Sequence, residues 1–182
     1  MIAVIAGSNR PGSKTLKVAA VVRGHIEALG ESTELIDLAK LPPEIFSPAS
    51  YASKPPSFAV FQSVVLAADG IITVVPEYNG SFPGVLKYYI DMLEFPDSLY
   101  EKPAAFVGLS ASRWGAVRAV EQLEMVFQYR QAHLFGRRCF IPDIGDALDA
   151  SGHIKDAALA DRLQRTVFGF VRFCRHLERG GG

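Results

Sequence analysis

Short apolar runs alternate with longer amphipathic stretches along the chain. The apolar runs have the length of buried strands, and they lie at residues 2–7, 33–37, 70–76, 103–109 and 137–141. The amphipathic stretches repeat their apolar residues at helical spacing, and they lie at residues 13–29, 56–68, 82–94, 115–131 and 156–178. This alternation predicts an α/β fold in which a doubly wound, five-stranded parallel sheet carries helices on both faces, joined by right-handed crossovers.

One long connection interrupts this rhythm. Residues 41–56 are rich in proline and have no helical or strand pattern, so we expect an extended flap there and not a domain linker. The chain has 182 residues, of which 49% are hydrophobic, and this is enough for one domain with one substantial core. We assign residues 1–179 to that domain and expect residues 180–182 to form a disordered tail.

Composition excludes several classes of partner. Lys plus Arg equals Asp plus Glu at 19 each, so no basic field is available for nucleic acid or for an anionic membrane. No run approaches the roughly 20 apolar residues of a membrane span, and the first apolar run is too short for a signal peptide. Cys139 and Cys174 show no metal-ligand spacing and are expected to be buried thiols. We therefore predict a cytoplasmic protein with no metal.

The first candidate site is a glycine-rich loop at residues 7–15, between the first strand and the first helix. Unpaired backbone N–H groups and the positive end of the helix dipole converge at such a position and favour an anion. Ser8, Ser13 and Thr15 add hydroxyl donors, and Arg10 adds a forked, permanently charged donor. The loop is predicted to bind a phosphate group.

Other interpretations of this loop explain less of it. A simple helix cap at Ser13 leaves Ser8 and Arg10 without a role. A nucleoside triphosphate loop requires its lysine directly after the second glycine, whereas Lys14 follows Ser13. A phosphatase would need a Cys or Asp nucleophile, and residues 7–15 contain neither. The loop is therefore expected to bind phosphate without attacking it.

The second candidate site is the turn Pro76–Gly80, which directly follows a buried strand. Its proline fixes φ and removes a donor, and its glycine tolerates a close backbone approach. Tyr78 and Asn79 bring a ring and an amide to the rim, and Ser81 is expected to open the next helix. A flat, amide-rich heterocycle would fit this turn, because ligands of open α/β sheets bind at the carboxyl ends of the strands.

These two loops resemble those of the NAD(P)H-dependent FMN reductase family, whose flavodoxin-like members include quinone, azo-dye and chromate reductases. The first loop has the pattern Gly-Ser-x-Arg-x-x-Ser from Gly7 onward. The second and more specific pattern, Pro-Glu-Tyr-Asn-Gly-Ser-x-Pro-Gly-x-Leu-Lys, runs from Pro76 to Lys87. The resemblance follows the order of elements over the whole chain. A flavodoxin-like strand order 2-1-3-4-5 would place both loops at the switch point between strands 1 and 3.

The resemblance implies a cofactor, a reaction and a set of binding residues. FMN would place its phosphate and its ring on the residues Ser8, Arg10, Ser13, Thr15, Pro76, Glu77, Tyr78, Asn79 and Gly80, with Ser110 at the other edge of the ring. NAD(P)H would donate hydride and leave, and a small-molecule acceptor would then replace it. Free flavin, a quinone, an azo compound and a metal oxyanion all remain possible acceptors. Because the cofactor carries this chemistry, no residue is assigned as catalytic, and Glu77 is read as a structural or subunit-contact residue.

The third loop, residues 108–115, departs from the family. Arg113 and Trp114 stand where small residues are common in the family, and Trp114 is expected either to stack near the ring or to fill a hydrophobic gap. An alternative function also stays open. A flavodoxin-like electron carrier or redox-sensing FMN module, without productive nicotinamide turnover, would share every one of these motifs.

Two helices carry more apolar surface than one sheet face requires. The stretches 82–94 and 115–131 are apolar or aromatic on most sides, and both begin at ligand loops. An isologous contact would bury this surface and let each subunit wall the other's site, so we predict a homodimer or a homotetramer built as a dimer of dimers. The alternative is a monomer in which residues 41–56 cover the excess.

Overall fold

The computed structural model describes residues 1–180 and contains a six-stranded, wholly parallel sheet. Its strands are β1 Ile2–Ala6, β2 Thr33–Asp37, β3 Gly70–Pro76, β4 Pro103–Leu109, β5 His133–Leu134 and β6 Cys139–Ile141. Their order is β2-β1-β3-β4, and β5 and β6 both pair with the free edge of β4. The flavodoxin-like order 2-1-3-4-5 is thereby confirmed, with the fifth position divided between two short strands.

The division of the fifth strand was not predicted. His133 pairs with the start of β4 and Cys139 with its carboxyl-terminal half, and the chain leaves the ladder between them. There Phe135 packs onto the last helix, with its ring centroid 6.0 Å from that of Phe170 and 5.5 Å from that of Phe173. An aromatic contact across the edge of the sheet thus replaces the middle of a continuous strand.

Six α-helices of the described residues cover the two faces of this sheet. They are α1 Lys14–Glu27, α2 Ala59–Ala67, α3 Gly84–Met92, α4 Val117–Tyr129, α5 Ile144–Ala147 and α6 Ala157–Gly180. Helices α1 and α6 bury apolar side chains against one face, and α2, α3 and α4 do so against the other. Because both faces are covered, β1, β3 and β4 are buried at every position, which explains their continuous apolar sequences.

The proline-rich segment 41–56 is not an extended flap. It forms short 3₁₀ turns at Pro43–Phe46 and Pro48–Tyr51, because proline at the first position of each turn already holds a compatible φ. The segment packs on α3, where the Tyr88 hydroxyl donates to the Ile45 carbonyl oxygen at 2.7 Å. It therefore covers one part of the apolar excess on α3.

Two boundaries also differ from expectation. Helix α3 begins at Gly84 with Pro83 as its N-cap, and not at Ser81, because Ser81 closes the preceding turn. Helix α6 continues through Gly180, whereas residues 181–182 of the expected tail lie outside the described part of the chain. Within residues 1–180, no helix combines the length and the apolar character needed to cross a membrane. The same residues contain no group of three or more His, Cys, Asp or Glu side chains that could hold a metal ion.

Candidate functional site

The carboxyl ends of β1, β3, β4 and β6 open onto a cavity of about 490 Å³. Four segments line it, namely residues 10–15, 76–78, 109–111 and 144–145. This volume lies within the roughly 300–1,000 Å³ that small-molecule sites occupy. Since β1 and β3 are neighbours whose crossovers run to opposite sides, the cavity lies at the topological switch point of the sheet.

The first wall of the cavity is the amino terminus of α1. The Ser13 hydroxyl oxygen caps this helix by accepting a hydrogen bond from the Leu16 N–H at 3.2 Å. Arg10 and Thr15 line the same end of the cavity, as does Ser13 itself. The other N–H groups of the first helical turn have no intrahelical acceptor and are available to an anion. Three of the four residues proposed for phosphate therefore share one wall.

Ser8, the fourth of these residues, is placed differently. It is 1% exposed and does not line the cavity. Its hydroxyl lies 2.8 Å from the Tyr78 hydroxyl and also accepts a hydrogen bond from the Arg10 N–H at 3.2 Å. Ser8 thus braces the first loop against the second.

The second wall is the turn that begins at Pro76. The Tyr78 N–H donates to the Ser81 carbonyl oxygen at 2.8 Å, and the Ser81 N–H donates to the Tyr78 carbonyl oxygen at 3.1 Å. Between them Asn79 and Gly80 have φ of +53° and +79°, the combination that a type I′ turn requires and that Asn-Gly adopts readily. Asn79 and Gly80 therefore form the tip of the turn and do not line the cavity, whereas residues 76–78 do.

Glu77 carries an unsatisfied buried atom at this wall. Its Oε2 is buried and has no hydrogen-bond partner within residues 1–180. Burial of a carboxylate oxygen is costly unless a donor reaches it, so a donor is expected from outside this part of the chain. The hydroxyl groups and the imide N–H of FMN are such donors, and a second subunit is another source. Together with Arg10 and the free N–H groups at the start of α1, this acceptor makes the cavity chemically suited to FMN.

The remaining walls are two loops that bond to each other. Ser110 lines the cavity, and its carbonyl oxygen accepts from the Ile144 N–H at 2.9 Å. Lys14 closes the other side by donating from Nζ to the Ile144 carbonyl at 2.9 Å and to the Gly145 carbonyl. Sequence reasoning missed Lys14, Ile144 and Gly145. The position of Ile144 and Gly145 after the last strand, and that of Lys14 at the end of the first loop, were available signals, because every loop at the carboxyl edge of a parallel sheet reaches the same crevice.

Trp114 does not fill a hydrophobic gap. Its side chain is 56% exposed, and the guanidinium carbon of Arg113 lies 4.9 Å from the centroid of its ring. The third loop therefore presents an aromatic side chain and a cation to solvent, a few residues beyond Ser110.

A doubly wound parallel sheet of order 2-1-3-4-5, with a cavity where β1 and β3 end, is typical of the flavodoxin-like class of mononucleotide-binding proteins. The sequence profile of the NADPH-dependent FMN reductase family matches residues 1–145. The chain therefore belongs to the NADPH-dependent FMN reductase family.

Individual relatives agree with this assignment. An NAD(P)H-dependent FMN reductase of Pseudomonas aeruginosa is 31% identical over 178 residues, covering 96% of this chain and 95% of the relative. A 2-hydroxy-1,4-benzoquinone reductase of a Burkholderia species is 31% identical over 178 residues, with 96% of each chain covered. The solved structure of a flavoenzyme NAD(P)H:(acceptor) oxidoreductase from Paracoccus denitrificans superposes with a TM-score of 0.82 at 26% identity, covering 96% of this chain and 97% of that one.

These findings confirm the resemblance stated from the motifs. The protein is an oxidoreductase that uses FMN as cofactor and NAD(P)H as co-substrate. The alternative of a carrier without nicotinamide turnover is not favoured, because the relatives are named as reductases.

Proposed function

We propose that this enzyme passes reducing equivalents from NAD(P)H to a small-molecule acceptor, with a quinone as the first acceptor to assay. The observation that carries the proposal is that one cavity of about 490 Å³ joins the amino terminus of α1 to Glu77, whose buried Oε2 has no hydrogen-bond partner within residues 1–180. The Burkholderia relative is named for a benzoquinone substrate. Azo compounds, free flavin and metal oxyanions are further acceptors to test.

The binding roles follow from the walls of the cavity. Arg10, Ser13 and Thr15 hold the FMN phosphate, and the turn from Pro76 to Tyr78 holds the ring, with Ser110 at its other edge. Bound FMN supplies the hydride chemistry, so the chain's own residues bind, orient and exclude water. Asn79 and Gly80 act indirectly by setting the conformation of the turn, and Ser8 acts by bracing Tyr78.

The phosphate assignment is tested by comparing FMN with riboflavin. Replacement of Arg10 by Ala should weaken FMN by about 1.5–3 kcal/mol, the range for hydrogen bonds to charged groups, and should leave riboflavin affinity unchanged. Arg172→Ala, at an exposed arginine on α6, is the matched control. Equal affinity of the wild-type protein for FMN and riboflavin would show that the first loop does not bind phosphate.

The order of substrates tests the reaction itself. One flavin face serves donor and acceptor in turn, so initial-rate plots for NADPH and a benzoquinone should be parallel lines. Intersecting lines would mean that both substrates are bound together, and no NAD(P)H consumption would favour the carrier alternative. Glu77→Gln should keep the single-turnover rate of flavin reduction within about tenfold of wild type, since loss of an acid or base typically costs 10²–10⁴-fold.

We also infer that the functional unit is a homodimer, or a tetramer built from such dimers. A groove of about 610 Å³ lies between α3 and α4, and three large apolar side chains stand exposed along it: Phe95 at 68%, Met125 at 62% and Tyr129 at 79%. Segment 41–56 packs on Tyr88 and does not line this groove. A contiguous exposed apolar patch of this kind is typical of an interface.

Sedimentation at micromolar concentration tests the dimer. Wild-type protein should sediment as a dimer or tetramer, and Met125→Asp combined with Tyr129→Asp should shift it to a monomer. Val60→Asp, at a residue of α2 that is 62% exposed, should leave the mass unchanged. A wild-type monomer with full FMN occupancy and full activity would contradict the shared site.

A cytoplasmic location is also proposed. Cys139 and Cys174 are both free and buried, which suits a compartment where thiols stay reduced. Cell fractionation with an antibody against the protein tests this location directly.

A further inference from the structure

The third loop exposes a side chain that packing alone does not explain. Trp114 is the only tryptophan of the chain, and 56% of it is accessible to solvent. Tryptophan is highly buried on average, because its large apolar surface is costly to hydrate. Arg113 lies against the ring, with its guanidinium carbon 4.9 Å from the centroid. The ion pairs within residues 1–180 do not include Arg113, so its charge is free to meet an anion.

The backbone beneath this pair is held tightly. The Trp114 N–H donates to the Ser112 hydroxyl at 3.3 Å, and that hydroxyl lies 2.9 Å from the hydroxyl of Ser110. Gly115 has φ of +59°, and a Cβ there would lie 2.9 Å from the Phe140 Cβ. Trp114 is therefore presented by a fixed loop. Ser110 lines the cofactor cavity, and Arg113 and Trp114 follow it in the chain by three and four positions on the same loop.

The chemistry of Arg113 and Trp114 suits NAD(P)H better than it suits a quinone acceptor. A quinone is small and uncharged, and it needs contact only with the flavin ring. NAD(P)H is larger, because its adenosine and phosphate groups must remain outside when the nicotinamide reaches the flavin. An exposed indole offers a stacking surface for adenine, and a guanidinium offers forked donors for a phosphate.

We propose that Trp114 and Arg113 bind the adenosine half of the dinucleotide, with Trp114 stacking on adenine and Arg113 bonding the 2′-phosphate. The enzyme should therefore prefer NADPH to NADH. This inference rests on the proposed use of NAD(P)H as donor, and it adds the residues that recognise it. Loss of the stacking on Trp114 should weaken the affinity for NADPH roughly 5- to 150-fold. Loss of the charged hydrogen bond from Arg113 should weaken it roughly 10- to 150-fold.

The single tryptophan makes the test direct. Adenosine 2′,5′-bisphosphate and 5′-AMP, which lack nicotinamide, are titrated into the oxidised holoenzyme while tryptophan fluorescence is followed. Saturable quenching by the bisphosphate is expected, with at least tenfold weaker binding of 5′-AMP. Arg113→Ala should abolish this difference between the two probes, and Arg172→Ala should preserve it. An unchanged signal with both probes would overturn the assignment.

Anaerobic stopped-flow measurements then separate the two half-reactions. Trp114→Ala should raise the NADPH concentration for half-maximal flavin reduction at least fivefold, with Trp114→Phe intermediate. In Trp114→Ala, the limiting rate of flavin reduction at saturating NADPH should stay within about twofold of wild type, and so should the rate of flavin reoxidation by benzoquinone. An effect confined to reoxidation would assign the pair to the acceptor and refute the proposal. If neither NADPH nor NADH reduces the flavin of the wild-type protein, the use of NAD(P)H as donor is itself refuted. This outcome is distinct from one in which NADPH reduces the flavin but the Trp114 and Arg113 variants have no effect.

Discussion

Gly108→Ala should destabilise the protein and displace the third loop. A Cβ at Gly108 would lie 2.5 Å from the Gly115 carbonyl oxygen and 2.8 Å from the Phe140 Cδ1, whereas real Cβ contacts essentially never fall below 3.0 Å. A carbonyl oxygen cannot rotate away as a side chain does, and Gly115 has little room to move, since even a Cβ added to it would lie 2.9 Å from the Phe140 Cβ. The strain must therefore move the backbone of the loop that carries Ser110 and Trp114.

The loss of stability expected for Gly108→Ala can be estimated from the cost of overpacking a filled core. Extra methylene groups in such positions typically cost about 1–3 kcal/mol, and each kcal/mol lowers Tm by about 2–4 °C in a domain of this size. Urea unfolding of the apoprotein, followed by circular dichroism, measures the loss. Tryptophan fluorescence of the folded variant should also differ from wild type, because the only tryptophan lies on the displaced loop.

Gly24→Ala is the matched control. Gly24 lies inside α1, and a Cβ there would have no neighbour within 4 Å. Alanine in a helix interior should stabilise the protein by about 0.5–1 kcal/mol relative to glycine. If Gly108→Ala is as stable as wild type while Gly24→Ala behaves as expected, the close packing of the third loop is refuted.

Three further predictions follow from contacts and titrating groups. Ser8→Ala and Tyr78→Phe should show a coupling energy of about 0.5–1.5 kcal/mol in a double-mutant cycle on unfolding, and simple additivity would mean that their hydroxyl contact is not formed. Burial raises the pKa of Cys139 to about 11 and that of Cys174 to about 12, so a disulfide reagent at pH 8 should label both thiols only after unfolding; rapid labelling of the native protein would contradict this. Burial lowers the pKa of His25 in the folded state, so the unfolded chain binds the extra proton and stability falls as pH drops below about 6.5. The free energy of unfolding should then decline less between pH 7 and pH 5 in His25→Gln, and an unchanged slope would refute the assignment.

Much of this molecule is determined locally along the chain. Parallel strands that are buried on both faces have continuous apolar sequences. The ends of β1, β3 and β4 could therefore be predicted to within a residue. The loop at residues 7–15 and the turn at residues 76–80 also follow from neighbouring residues, because helix termini and glycine turns depend on local backbone geometry. A flavodoxin-like sheet then brings both loops to one switch point.

Contacts between distant segments were decided only by the tertiary structure. The Ser8 hydroxyl meets that of Tyr78 across 70 positions of sequence, and Lys14 reaches the Ile144 carbonyl across 130. No local pattern encodes such pairs, since they depend on how crossovers and loop lengths place the carboxyl edge of the sheet. The same holds for burial. Glu77 Oε2 is buried with no donor among residues 1–180, and Trp114 is exposed to solvent. Packing between elements determines whether a side chain is covered, whatever its own polarity.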